Sequence, residues 1–368
     1  MPDYYIGLIS GTSMDGIDAV LVEFGDRSLR TAAATSLPYP PELRSELLAA
    51  TRNPQSCTVD VLANLDHWTG ECFRDAALGL LSESGVDANQ VRAIGSHGQT
   101  IRHRPDEDRP FTMQIGNPNI VAKGTGICCV ADFRSADIAL GGQGAPLVPP
   151  FHEWLFRSEA VERCVVNIGG IANVTLLPQG DGDTRGFDTG PGNTLLDAWA
   201  RRHLELAYDE SGQWAASGRC DDALLGRMLA DPYFGKAPPK STGFEYFNED
   251  WLSSHDRGDR EPADVQATLC ELSAKTIAAA IDTFAAETRE VLVCGGGVHN
   301  TELMRRLSAH LAATLLGSTS EHGLDPDWVE ASAFAWLAMR TLENLPGNAP
   351  GVTGASRPAI LGAIHPAG

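Results

Sequence analysis

The sequence predicts an α/β protein whose two lobes repeat one plan around a central cleft. Three observations predict it. The segment Ile9–Phe24 (ISGTSMDGIDAVLVEF) reads as strand, small polar turn and strand. The segment Cys164–Pro178 (CVVNIGGIANVTLLP) repeats that order 155 positions later, from residue 9 to residue 164. Around these copies stand helix-period apolar stripes and short apolar runs that end in polar clusters, and such strand ends are where open α/β sheets place ligands. The 368 residues divide on this plan into an amino-terminal lobe, 1–140, and a carboxy-terminal lobe, 141–368, a natural length for two domains.

Within the first lobe, Ile17–Phe24 is rich in β-branched and apolar residues and is a strand. That separates GTSM from the subtilisin serine it resembles, which opens a helix and follows an Asp and a His; no His lies among the eight residues before Ile9. The turn, Ser10, Gly11, Thr12, Ser13, Asp15 and Gly16, brings backbone N–H groups and hydroxyls close together, as phosphate-wrapping turns do. An ordinary hairpin turn is the alternative. Over Val59–Leu81 the residues Leu62, Leu65, Trp68, Cys72, Ala76 and Leu80 recur at helical spacing. Val91–Thr100 and Gly126–Arg134 are short strands ending in His97 and Gln99, and in Asp132 and Arg134. Gly141, Gly142, Gly144, Pro146, Pro149 and Pro150 mark a hinge.

In the second lobe, Arg185–Ala200 reads as strand end, glycine-rich turn and helix, and Val265–Phe284 as a long amphipathic helix. Val291–Leu307 is a buried strand, a triple glycine and a helix; the tail from Leu345 is irregular.

The formal charge of −20, with four lysines among the 368 residues, argues against nucleic acid or an anionic membrane surface as partner. An anionic ligand must then be held locally, by backbone amides, helix amino termini, a few arginines and Mg²⁺. The eight cysteines form no CxxC pair, so neither a zinc site nor a disulfide scaffold is indicated, and reduced thiols in a cytosol are the simplest expectation. No leader is seen at the start, and no apolar run reaches the roughly 20 residues of a membrane span.

Three glycine-rich turns, SGTSMDG, DTGPGN and CGGGVHN, stand at strand ends. Together they suit a nucleotide, with one turn per lobe for the phosphates and one for adenosine. A P-loop is excluded because GxxxxGK[ST] is absent, and a Rossmann fingerprint is absent too. FDTG around Asp188 resembles an aspartic protease, which needs a second DTG or DSG that this chain lacks. Asp188 is then a general base, a metal or hydrogen-bonding ligand, or a helix cap. His97 and Gln99 suit polar hydroxyls or a structural role, and Arg134 a carboxylate or a surface ion pair. Glu330 opens a helix, where a first-turn acid suits the dipole.

With these residues assembled, the chain resembles the 1,6-anhydro-N-acetylmuramic acid kinase family of the actin, Hsp70 and sugar-kinase superfamily. The segments that carry the resemblance run almost end to end, among them IGLISGTSMDGIDAVL, IGSHGQTIRHRP, GGQGAPLVP, NIGGIANV, GFDTGPGNTLLDAWA, PPKSTG, VLVCGGGVHN and PDWVEASAFAWLA. The resemblance implies a two-lobed, duplicated ribonuclease H-like fold. It also implies a cytoplasmic, Mg²⁺-dependent enzyme of peptidoglycan recycling that uses ATP to phosphorylate O6 while water opens the 1,6-anhydro bridge. By the same resemblance Asp188 is the catalytic base. Gly11, Thr12, Ser13, Met14, Asp15, Gly16, Ile17 and Asp18 bind ATP phosphates, with Asn167, Gly169, Gly170, Gly190, Gly192 and Asn193 on the second lobe and Gly295, Gly296 and Gly297 on the adenosine side. His97, Gln99, Asp132, Arg134 and Glu330 are the implied sugar contacts, Arg134 meeting the lactyl carboxylate, and a homodimer is implied. Many superfamily members place an Asp two residues before the phosphate-loop glycine; here that position is Ile9. The metal ligand is left open, Asp15 and Asp18 being candidates. A nucleotide-dependent binding protein and a kinase of an ordinary open sugar are the competing readings.

Overall fold

The computed structural model describes residues 3–11, 13–180, 182–256, 258–311 and 314–368, with only the backbone at Ser56. Two compact units emerge, Met1–Leu155 with Trp328–Gly368, and Phe156–Asp327. The division differs from that expected at 140/141. The chain leaves the first unit at the end of the helix Pro149–Phe156 and returns to it at Trp328, so the last 41 residues complete the first unit.

The first unit is built on a seven-stranded sheet of β1 (Tyr4–Ser10), β2 (Gly16–Gly25), β3 (Ser28–Pro38), β4 (Val91–Arg104), β5 (Phe111–Ile115), β6 (Cys129–Ala131) and a strand near the carboxy terminus, Ala363–His365. Its spine runs β3-β2-β1-β4-β6, antiparallel over the first three strands and parallel from β1 through β4 to β6. The second unit carries β7 (Arg163–Ile168), β8 (Ile171–Leu177), β9 (Arg185–Pro191), β10 (Glu290–Cys294) and β11 (Leu315–Ser318) in the order β9-β8-β7-β10-β11. Its pairing senses are the same, strand for strand. The duplicated α/β plan expected from the two hairpins is therefore present in both sheets. The expected strand over 126–134 shrinks to β6, because Arg134 already turns into the short helix Ser135–Ala139. The tail from Leu345 is not wholly irregular, since Ala363–His365, β12 in chain order, pairs antiparallel with β6.

Each sheet is covered by helices whose apolar spacing was legible. The helix Val59–Ser84 starts where the Thr58 hydroxyl accepts the Val61 N–H and ends at Gly85, whose φ of 68° closes it. It lays Leu65, Phe73, Ala76 and Leu80 on Ile6, Leu8, Ile17 and Leu21. In the second unit the helix Pro262–Phe284 packs Leu269, Leu272, Ile277 and Ile281 on Val166, Ile168, Val174 and Leu176. Burying a Leu or Ile side chain contributes about 1.5–3 kcal/mol, so each of these layers stabilises its unit.

One contact carries the carboxy-terminal segment into the first unit. Gly7 of β1 and Gly95 of β4 are register partners. A Cβ at Gly7 would lie 1.8 Å from the Ala331 carbonyl oxygen, and one at Gly95 2.0 Å from that of Phe334. The paired glycines thus make a trough in which the backbone of the helix Val329–Leu342 rests on the sheet. Its first turn, with Glu330, is thereby brought to the polar ends of β1 and β4.

Candidate active site

In the first unit the turn after β1 is held by side chains. The Ser10 hydroxyl donates to Gln99 Oε1 at 2.7 Å, and Gln99 Nε2 donates to the Gly11 carbonyl at 3.2 Å. From the other side Arg44, on the helix Pro41–Arg52, donates through Nε to the Met14 carbonyl at 3.1 Å and through Nη2 to Asp15 Oδ1 at 2.7 Å. Met14 adopts φ 54° and is buried in the core with Ile17, so these two positions offer a ligand main-chain groups only. Gly11, Ser13 and Asp15 are exposed; Thr12 lies outside the described residues. At Gly16 a Cβ would meet the Leu37 carbonyl oxygen at 2.5 Å, which fixes glycine there.

The expected sugar contacts separate into three kinds. Gln99 has no exposed surface and its amide is bonded to the turn, which it holds in place. His97 is buried too. Its Nδ1 lies 2.8 Å from the Gly98 carbonyl and its Nε2 receives Arg134 Nε at 3.0 Å and Nη2 at 2.9 Å. The ring is therefore the neutral tautomer with the proton on Nδ1, and burial, then Arg134, holds its pKa well below 6.5. Arg134 also donates through Nη1 to the Gly144 carbonyl at 2.7 Å. Three of its five N–H donors are fixed, and one on each terminal nitrogen remains. Burial lowers its pKa to about 10, with Glu330 and Asp137 opposing, so it stays a cation at neutral pH. The protein around Glu330 raises its carboxyl, opposed by Arg134 and reinforced by Asp18, although the side chain remains open to solvent. Asp132 stands apart: it is exposed, at φ 58°, and accepts the Ser135 hydroxyl.

In the second unit three turns meet, two of them joined by main-chain bonds and the third packed closely against them. The N–H groups of Gly192, Asn193 and Thr194 donate to the carbonyls of Gly170, Gly169 and Gly170 at 2.9, 2.9 and 3.0 Å. Asn193 Nδ2 donates to the Ile168 carbonyl at 3.1 Å, and the Ser273 hydroxyl to those of Pro191 and Gly192. A Cβ at Gly192 would sit 2.4 Å from the Gly169 oxygen, at Gly295 2.3 Å from Asn167 Oδ1, and at Gly297 2.3 Å from Ile168 Cγ2. Gly190 has φ 148° and faces Phe234, while Gly296 is open. The residues assigned to the second phosphate turn and to the adenosine side thus form one continuous patch.

Asp188 lies on β9, opposite Asn173 of β8. A loop that sequence reasoning gave no role clasps it. The Thr242 N–H donates to Asp188 Oδ2 at 2.9 Å, the Asp188 N–H to the Lys240 carbonyl at 3.1 Å, and the Tyr233 hydroxyl to the Asp188 carbonyl at 2.8 Å. The Lys240 ammonium rests 4.7 Å from the centre of the Tyr233 ring. Burial raises the Asp188 carboxyl to about 7; Thr242 and Lys240 pull it down and Glu245 pushes it up. A carboxylate poised near neutrality and held by one oxygen suits proton abstraction. The signal for the clasp was the stretch PPKSTG, with two prolines before a lysine and two hydroxyls.

Among the described residues no three His, Cys, Asp or Glu side chains converge as a metal-binding group, and no helix is long and apolar enough to cross a membrane. Asp15 is turned outward on Arg44, and Asp18 stands near enough to Glu330 to push its carboxyl up.

A sequence model of the anhydro-N-acetylmuramic acid kinase family matches residues 3–367. The anhydro-N-acetylmuramic acid kinase of Coxiella burnetii is 50% identical over 363 residues, 98% of this chain and 97% of its own. That of Xanthomonas campestris pv. campestris is 51% identical over 367 residues, 99% and 97% of the two chains. Among solved structures, a glucokinase of the ROK family from Streptomyces griseus, in complex with glucose and AMPPNP, aligns over 89% of this chain and 97% of its own. Its TM-score is 0.40 at 14% identity. With the family matched from end to end and the duplicated sheets in place, the chain belongs to the anhydro-N-acetylmuramic acid kinase family.

Proposed function

We propose that the chain is an ATP-dependent kinase that opens 1,6-anhydro-N-acetylmuramate with water and phosphorylates the freed O6, giving N-acetylmuramate 6-phosphate and ADP. The observation that carries the activity is the family match over residues 3–367. Asp188 takes a proton from water as the water oxygen bonds to C1; the C1–O6 bond breaks, and O6 bonds to the γ-phosphorus as the bond to the β-phosphate oxygen breaks. The abstracted proton leaves Asp188 for solvent. The near-neutral carboxyl on β9 supports this role, since a base whose strength lies near the working pH is suited to proton transfer.

The exposed main chain of Gly11 and Ser13 suits phosphate oxygens, as do the packed glycines of the second unit. Arg134 supports carboxylate recognition, because its two remaining N–H groups lie on different terminal nitrogens and can engage both oxygens of a lactyl group. Mg²⁺ would neutralise phosphate charge. The residues fit an ion held through phosphates and water with one or two carboxylates, Asp18 foremost, as is usual for Mg²⁺. Turnover in heavy-oxygen water, read by mass spectrometry of the sugar phosphate, tests the reading. One labelled oxygen in the sugar is expected; an unlabelled product would mean simple phosphorylation of a free hydroxyl and would overturn it.

A further inference from the structure

Asp137 is a wholly buried carboxylate to which the reaction assigns nothing. Three donors converge on it. The Gly144 N–H reaches Oδ2 at 2.8 Å, and Asn348 Nδ2 and the Thr353 hydroxyl both reach Oδ1 at 2.7 Å. The last two come from the carboxy-terminal segment, more than 200 positions away. Around this knot the Gln143 N–H donates to the Thr353 carbonyl at 2.7 Å and the Ser356 N–H to that of Leu140 at 3.0 Å. The packing is close: a Cβ at Gly142 would lie 2.2 Å from Asp137 Oδ2, and Gly144 has φ 66°. Gly144 is gripped from both sides, since its N–H is held by Asp137 while its carbonyl holds Arg134 Nη1.

We infer that Asp137, with Asn348 and Thr353, is a positioning set for Arg134, through which the carboxy-terminal segment aims the guanidinium at the substrate carboxylate. The inference rests on the proposed reading of Arg134. Among the described residues the Gly144 carbonyl is the partner of the Nη1 side of that guanidinium, its Nε and Nη2 being committed to His97. A shift of the Gly144 carbonyl would therefore swing the two remaining N–H groups, and misplacement of about an ångström is enough to weaken a bidentate clamp severely. Asp137 also supports Arg134 as a neighbouring negative charge.

The test uses the full chain and two variants that keep shape, Thr353→Val and Thr353→Ser, with Arg134→Lys as reference. Loss of a hydrogen bond to a charged group predicts that Thr353→Val raises KM for the anhydro sugar about tenfold, leaves kcat and KM for ATP within about twofold, and is rescued by Thr353→Ser. In the Arg134→Lys background, Thr353→Val adds no further increase, because the clamp it aims is already lost. A purely structural role would lower kcat and ATP affinity together with Tm and would add to Arg134→Lys; either result overturns the inference, as does an unchanged sugar KM. A wild-type enzyme inactive on the anhydro sugar, or Arg134→Lys with normal sugar KM, would instead overturn the underlying reading.

Discussion

Aligned on the residue two positions before the first turn glycine, the two copies of the hairpin carry different chemistry on the same rung. In the first unit the rung across β1, β2 and β3 reads Ile9, Asp18, Ser36; in the second, across β7, β8 and β9, it reads Asn167, Asn173, Asp188. Each copy has one acid, on a different strand. Asp188 is clasped by a loop from beyond its own sheet, through Thr242 and Lys240. The turns differ likewise. The first is pinned by side chains, Gln99 and Arg44, and the second by main-chain bonds to Gly169 and Gly170 together with the Asn193 and Ser273 side chains, around a Gly192 that leaves no room for a Cβ. The two copies keep one backbone plan while dividing the chemistry, with an exposed turn tied by Gln99 and Arg44 in one copy and close-packed turns beside the clasped Asp188 in the other.

The largest expected effect breaks the rung. Asp188→Asn keeps an oxygen for the Thr242 N–H but cannot accept a proton, so steady-state ADP release should fall by at least about a hundredfold. Stability should move the other way. The folded-state pKa of about 7 lies above the unfolded value of about 3.9, so the folded chain holds the extra proton and the wild type loses stability as pH rises between those values. Melting curves should therefore show the Tm of Asp188→Asn gaining on the wild type from about pH 5 to about pH 8. Normal turnover, or a variant less stable at the upper pH, would remove the carboxylate from this role. In the wild type, kcat/KM should carry an acidic limb near pH 7. Lys240→Met should move that limb upward, since the ammonium lowers the Asp188 pKa.

The next effect sharpens the contrast between the turns. Gly192→Ala forces a methyl to 2.4 Å from a backbone oxygen, and overpacking of that kind costs about 1–3 kcal/mol, several degrees of Tm. Gly11→Ala meets nothing nearer than Ser13 Oγ at 4.0 Å and should melt with the wild type. Equal losses by calorimetry would contradict the division of labour.

How much of this was legible follows from the range of the interactions. The hairpins, the three glycine turns and the helices Val59–Ser84 and Pro262–Phe284 are written in local periodicity, and Asp188 stood out by its place at a strand end. β3 was not, because SLRTAAATSLP alternates weakly and is a strand by virtue of pairing with β2. The return of the carboxy-terminal helix to the first unit depends on Gly7 meeting Gly95, 88 positions on, and the holding role of Gln99 on a bond across 89 positions. Neither leaves a trace in a window of neighbouring residues. His97 and Gln99 lie at the strand end as expected, and what the sequence does not show is that both are buried and hydrogen-bonded to their surroundings.

The smallest effects separate the two supports of the first turn. Gln99→Leu removes both the acceptor for Ser10 and the donor to Gly11, leaving the buried Ser10 hydroxyl unpaired at about 1–3 kcal/mol. KM for ATP should rise about tenfold or more. Arg44 makes its ion pair with Asp15 in solvent, with the two side chains 44% and 69% exposed, and such pairs contribute about 0.2–1 kcal/mol. Arg44→Ala should therefore raise KM for ATP less than about fivefold, and added salt should erase most of the difference from wild type. If Arg44→Ala proved the more damaging of the two, the turn would be held from the solvent side, and its buried tie to β4 would be incidental.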